Sequence, residues 1–96
     1  MKPHALIINT ARGAVTDEQA LADALKNGRL GGLGVDVYSC EPFDENHPFY
    51  PLREHPRLLM TPHMAWGSAE ARARCVAVMA KNITAFLNGT PQNKIV

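Results

Sequence analysis

Ninety-six residues make one domain at most, and a chain of that size buries only about 60–65% of its unfolded surface. With 46% hydrophobic and 20% charged residues and a net charge of +1, the composition is ordinary for a globular chain and gives no electrostatic footprint for nucleic acid or an anionic membrane. No run approaches the ~20 apolar residues of a membrane span, and the first residues lack a signal peptide's long apolar region. Cys40 and Cys75 have no close-spaced partner, so reduced thiols in a cytoplasmic protein are expected.

The run Ala5 to Asn9, rich in Ile and bounded by Pro3 and Gly13, reads as a buried strand. Thr16 is expected to cap the helix that follows, with Gln19 three residues on as in a capping box and Asp17 and Glu18 at the positive end of the dipole. Ala20, Leu21, Ala24 and Leu25 form its apolar stripe, and Gly28 is placed to end it. A second strand is predicted from Leu33 to Tyr38. Strand, helix and strand in this order have the size of a right-handed βαβ unit with parallel strands.

Cys40 to Pro56 carries four prolines and no periodicity, and reads as loop. Leu58 to Met60 is a third short strand, stopped by Pro62. Ser68 is expected to cap a long final helix, on which Cys75, Val76, Met79, Ile83, Phe86 and Leu87 recur at helical spacing before Gly89 and Pro91 stop it. Part of that apolar stripe calls for another surface. The expected fold is α/β, built as the C-terminal part of a Rossmann-type parallel sheet with a long closing helix.

Three segments lie at the C-terminal ends of predicted strands: Asn9 to Gly13, Gly34 to Pro42, and Thr61 to Trp66. In an open parallel sheet the carboxyl edge of the strands is where ligands bind. Arg12, Asp36, Glu41 and His63 would therefore face one crevice. An arginine forks onto a carboxylate, and a histidine beside a carboxylate transfers protons near neutral pH. Singly, each has a plainer reading: Arg12 as a surface residue, His63 as a turn or capping residue. Asp36 is harder to dismiss, because a half-buried carboxylate needs a partner. Cys40, His47, His55, His63 and Cys75 lack the paired short spacing of a zinc site, and no metal is expected.

Taken together, the three segments resemble a known family. An apolar strand runs into Asn9-Thr10-Ala11-Arg12-Gly13, Asp36-Val37 is separated by three residues from Glu41-Pro42, and Thr61-Pro62-His63 has a small residue, Ala65, two further on. Ala71-Arg72, Asn82 and Phe86-Leu87 stand where the closing helix of that family has them. The pattern is similar to the NAD-binding domain of the D-isomer-specific 2-hydroxyacid dehydrogenases and covers essentially the whole chain. Trp66 after Ala65 resembles the glycerate dehydrogenase (hydroxypyruvate reductase) branch, and Glu41 argues against the formate dehydrogenases, which have glutamine there.

The resemblance implies a function. Arg12 would bind and polarise a 2-oxo acid, His63 would be the general acid/base, and Glu41 its partner. Asp36 would hold the nicotinamide carboxamide of NAD (or NADP), with Thr10, Ala11, Arg12, His63, Ala65 and Trp66 lining the nicotinamide site. The implied partners are a small 2-oxo or 2-hydroxy acid and, in the complete enzyme, a second copy in a homodimer; nucleic acid and membrane are not. The chain departs from the family in lacking the glycine-rich phosphate loop and the substrate domain. Gly28, Gly31, Gly32 and Gly34 do not replace the loop, since they precede a strand instead of joining strand to helix. Residues 1–96 are thus expected to be a partial NAD-binding domain, inactive alone. The alternative is a non-catalytic remnant, or a segment that assembles with a separate chain.

Overall fold

A computed structural model describes residues 1–95, in two compact units, residues 1–65 and residues 66–95. The first unit contains β1 (Leu6–Asn9), α1 (Glu18–Lys26), β2 (Gly32–Val35) and β3 (Leu58–Met60), with single 3-10 turns at Gly13–Val15 and Tyr50–Leu52. The second contains α2 (Ala69–Leu87).

The sheet runs β1-β2-β3, parallel throughout, with Leu6 opposite Gly32 and Leu33 opposite Leu58. Side chains alternate between the faces of a strand. Leu33 and Val35 therefore point to the face on which Ala22 and Leu25 of α1 and the loop residue Phe49 pack; all five are buried, Leu25 and Phe49 completely. Leu6, Ile8 and Leu59 point the other way and are exposed at 71, 73 and 68%. Gly32 lies on that second face, where an added Cβ would stand 2.9 Å from a Leu6 methyl. Gly31 is packed as closely, a Cβ there meeting the His4 backbone at 2.5 Å.

Both α-helices stop as their sequences foretell. Gly28 and Gly89 adopt left-handed φ of 67° and 73°, and the next amides, Arg29 N–H and Thr90 N–H, reach back to the Ala24 and Ala85 carbonyls at 2.8 and 2.9 Å. That pairing is the Schellman closure. Ser68 caps α2, its Oγ accepting from Ala71 N–H at 3.1 Å. The start of α1 differs from expectation. Asp17, not Thr16, is the cap, accepting from Ala20 N–H at 2.9 Å. Thr16 instead faces the preceding turn, its amide donating to the Gly13 carbonyl at 3.1 Å. A carboxylate one residue later serves the same orphan amides and adds a favourable charge at the dipole's positive end.

The second strand ends at Val35 and not at Tyr38; Asp36 N–H still donates to the Asn9 carbonyl at 3.0 Å, while the Asp36 side chain binds the turn after β3. No residue of α2 is buried, and its stripe of Val76, Met79, Ile83, Phe86 and Leu87 is exposed at 58–76%.

Candidate active site

The first segment of the site is fixed by an asparagine. Asn9, 6% exposed at the end of β1, donates from Nδ2 to the Arg12 carbonyl at 2.8 Å, and its Oδ1 accepts from Ala11 N–H at 3.1 Å. This Asx-type closure locks Thr10, Ala11 and Arg12 into a turn and leaves all three exposed. Gly13 then passes against the second segment so closely that a Cβ there would lie 2.0 Å from the Tyr38 carbonyl carbon. Only glycine fits.

The third segment carries His63 in a left-handed conformation, φ 52°, uncommon for a residue with a Cβ. Asp36 holds that turn from both sides. Its Oδ1 accepts from Thr61 Oγ1 at 2.5 Å and Met64 N–H at 2.8 Å, and its Oδ2 from Ala65 N–H at 2.9 Å. At 3% exposure the carboxylate is enclosed by these donors. The Thr61 hydroxyl, the Ala65 and Met64 amides and the charge of His63 together hold the Asp36 pKa below its ordinary value, against the opposing effect of burial. Three donors on one carboxylate offset local backbone strain, which proteins retain mainly where geometry matters.

His63 Nδ1 and Glu41 Oε2 are 2.7 Å apart. The second oxygen of Glu41 accepts from Tyr38 N–H at 2.9 Å. The His63 hydrogen bond, the Tyr38 amide and the charges of His63 and Arg12 lower the Glu41 pKa, so this carboxylate is ionised at neutral pH. An ionised acceptor makes Nδ1 the donor nitrogen and assigns proton exchange with a ligand to Nε2. Tyr38 is locked beside the pair. Burial and the Asp36 and Glu41 charges push its phenol up, and its hydroxyl donates to the Thr61 carbonyl at 2.9 Å.

Glu41 and His63 line an open cleft of about 460 Å3 together with Tyr38, Pro42, Phe43, Met60, Thr61 and Pro62. Arg12 follows β1 at the same strand edge. Its guanidinium is exposed and donates to the Ala11 carbonyl at 2.7 Å, while its charge reaches Glu41. The structure thus pairs Glu41 with His63, and places Arg12 within electrostatic reach but not on the cleft wall. Ala65 is tied to Asp36, and Trp66, 61% exposed, belongs to the second unit. Asn9 and Tyr38 were not among the predicted site residues. The polar end of an otherwise apolar strand was the available signal for Asn9.

Carboxyl-edge loops of a parallel sheet, holding a histidine–carboxylate pair with an arginine nearby, define an α/β domain of the nucleotide-cofactor type. Residues 1–65 match the family described as D-isomer specific 2-hydroxyacid dehydrogenase, NAD binding domain, and the chain belongs to that family. It is 43% identical over 95 residues to the glycerate dehydrogenase of Methylorubrum extorquens, covering 99% of this chain and 30% of the relative. A solved acyclic imino acid reductase in complex with NADPH and D-Arg superposes with a TM-score of 0.85 at 36% identity, over all of this chain and 29% of that one. A glyoxylate/hydroxypyruvate reductase from Sinorhizobium meliloti, in complex with NADP and malonate, gives 0.75 at 32% identity, over 90% of this chain and 26% of the other. The chain therefore spans between a quarter and a third of the length of these relatives.

Proposed function

We propose that this chain supplies the proton-transfer pair and the nicotinamide-facing edge of an NAD(P)-dependent 2-hydroxyacid dehydrogenase that reduces a small 2-oxo acid of the glyoxylate or hydroxypyruvate kind. The observation that carries the proposal is the 2.7 Å Glu41–His63 contact on the wall of an open cleft.

The residues fit the nicotinamide end of the cofactor. The exposed Thr10–Arg12 turn and the Asp36–Ala65 buckle occupy one strand edge, and the family resemblance gives Asp36 the nicotinamide carboxamide. Trp66 is assigned to the same site by the resemblance alone. The pyrophosphate has no cradle among the described residues, since both α-helices begin with acidic side chains, Glu18 and Glu70. A bound reduced nicotinamide supplies the hydride. Arg12 takes the substrate carboxylate in a forked contact and polarises the neighbouring carbonyl. His63 gives its Nε2 proton to the carbonyl oxygen while Glu41 stabilises the ring's charge through Nδ1. In the oxidative direction His63 takes the proton back.

Because positioning of the cofactor contributes much of the rate, these 96 residues alone are expected to give negligible turnover. The test is a graft. The chain replaces the matching segment of the Methylorubrum glycerate dehydrogenase, and NADH and NADPH oxidation with hydroxypyruvate or glyoxylate is followed by absorbance. Turnover of roughly 1–1,000 per second in the graft and none in the isolated chain supports the proposal. A well-folded graft that consumes neither cofactor contradicts it.

A further inference from the structure

Glu41 is exposed, and its own contacts, one amide and one imidazole, cannot fix the segment that carries it. What restrains that segment lies behind it, away from the cleft. Glu18, the first residue of α1, is buried at 8% exposure. Its Oε1 accepts from Ser39 N–H at 2.8 Å, and its Oε2 accepts from the Ser39 hydroxyl. The same Oε2 lies 3.1 Å from His47 Nε2. His47 is itself oriented, its Nδ1 accepting from the Phe49 amide at 3.2 Å, which makes Nε2 the protonated nitrogen and a donor to Glu18. The ring is enclosed by Tyr38, Phe43 and Phe49, with centroids 5.7, 4.5 and 5.2 Å away.

Consecutive amides are thereby taken by two different carboxylates: Tyr38 N–H by Glu41, Ser39 N–H by Glu18. On the far side of Glu41, Phe43 rests on the His47 ring. One buried unit therefore holds the segment both before and after Glu41. Hydrogen bonds to an ionised group are roughly twice as strong as neutral ones, and buried ones hold a single geometry. We propose that Glu18 and His47 are positioning residues for the Glu41–His63 pair: they set where the Glu41 carboxylate stands without touching the cleft. The functional consequence rests on the proton-transfer reading of that pair; the geometric coupling does not.

The coupling is read by NMR on the full chain labelled with 15N-histidine at neutral pH, without cofactor or substrate. The native chain should show His47 as the Nε2–H tautomer and a slowly exchanging, downfield Nδ1 proton on His63. In Glu18→Gln, exchange of that His63 proton should quicken by about tenfold, as for loss of one good hydrogen bond. His47→Leu should do the same, whereas His47→Gln, which returns an N–H to the Nε2 position, should restore slow exchange. Amide dispersion from β1, β2 and β3 reports folding in each variant. Where Glu18→Gln or His47→Leu fails to fold, Ser39→Ala removes only one donor and should quicken exchange about threefold. Folded variants with the native His63 proton and native exchange overturn the proposal. An inactive graft with the coupling intact counts against the proposed reaction alone.

Discussion

Two histidine–glutamate pairs stand within one small unit and differ in almost everything but composition. His47 and Glu18 are 3.1 Å apart with side chains 5 and 8% exposed, while His63 and Glu41 are 2.7 Å apart with side chains 39 and 36% exposed. The buried carboxylate collects donors from its own chain: two from Ser39 and one from His47. The open one keeps a face on the cleft, and its histidine sits on a strained turn that Asp36 stabilises. Residue identity does not distinguish frame from chemistry here. Access to water does, because an enclosed pair that is fully hydrogen-bonded has nothing left to exchange with a ligand.

The largest break in that comparison should come from Glu18→Ala. Removing the Glu18 carboxylate leaves the Ser39 amide, the Ser39 hydroxyl and the His47 Nε2–H without their acceptor, at about 1–3 kcal/mol for each buried donor left unsatisfied. That is a large part of a small domain's stability, typically about 5–15 kcal/mol, and it should appear as a much lower urea midpoint. Glu41→Ala should leave the midpoint nearly where it was, since exposed ion pairs contribute little. Equal losses from the two changes would erase the distinction.

A smaller effect is expected at Gly13, where the two loops meet. Gly13→Ala puts a methyl against the Tyr38–Ser39 peptide, with backbone atoms 2.0–2.4 Å from it. Overpacking of this kind costs about 1–3 kcal/mol, and because both carboxylates bind this peptide stretch, the His63 Nδ1 proton should exchange faster as well. Unchanged stability measured by thermal unfolding would mean that the loops separate easily.

Much of this arrangement was legible in the chain. Helical spacing and capping residues gave α1 and α2 to within a residue or so at each end, the Leu58–Met60 strand was read as it stands, and the Glu41–His63 contact was expected from strand-end placement together with the family resemblance. The buried pair was not legible. Glu18 looked like an ordinary first-turn acid and His47 lay in a proline-rich stretch with no periodicity, 29 residues away in sequence. Phe49, fully enclosed, was hidden in the same stretch for the same reason. Loops without period reveal their core residues only once the strands bring them together. Likewise Asp36 was recognised as a carboxylate needing a partner, but nothing local said that its partners lie in the Thr61–Ala65 turn.

The smallest effect concerns pH. Asp36 and Glu41 both have pKa values held below their ordinary ones, by the Thr61 hydroxyl and the His63 hydrogen bond in the first place. A carboxyl with a lowered folded pKa stabilises the fold at pH values above its unfolded pKa, and the contribution is lost as pH falls through the folded value. Stability from these two groups should thus be level above about pH 5 and decline below the ordinary carboxylate range of about 3.9–4.3. Thr61→Val should shallow that decline by freeing Asp36, and Glu41→Gln should shallow it slightly less. Urea titrations at stepped pH measure both slopes.

The most direct measurement is steady-state kinetics of His63→Gln in the grafted dehydrogenase, beside the unmodified graft. A positioned acid/base contributes about 100- to 10,000-fold. The account predicts that kcat falls by a factor in that range while KM moves little, since the substrate carboxylate is held by Arg12. A folded His63→Gln graft whose kcat stays within about threefold of the unmodified graft, far short of that range, would contradict it. The open pair would then be no more catalytic than the buried one.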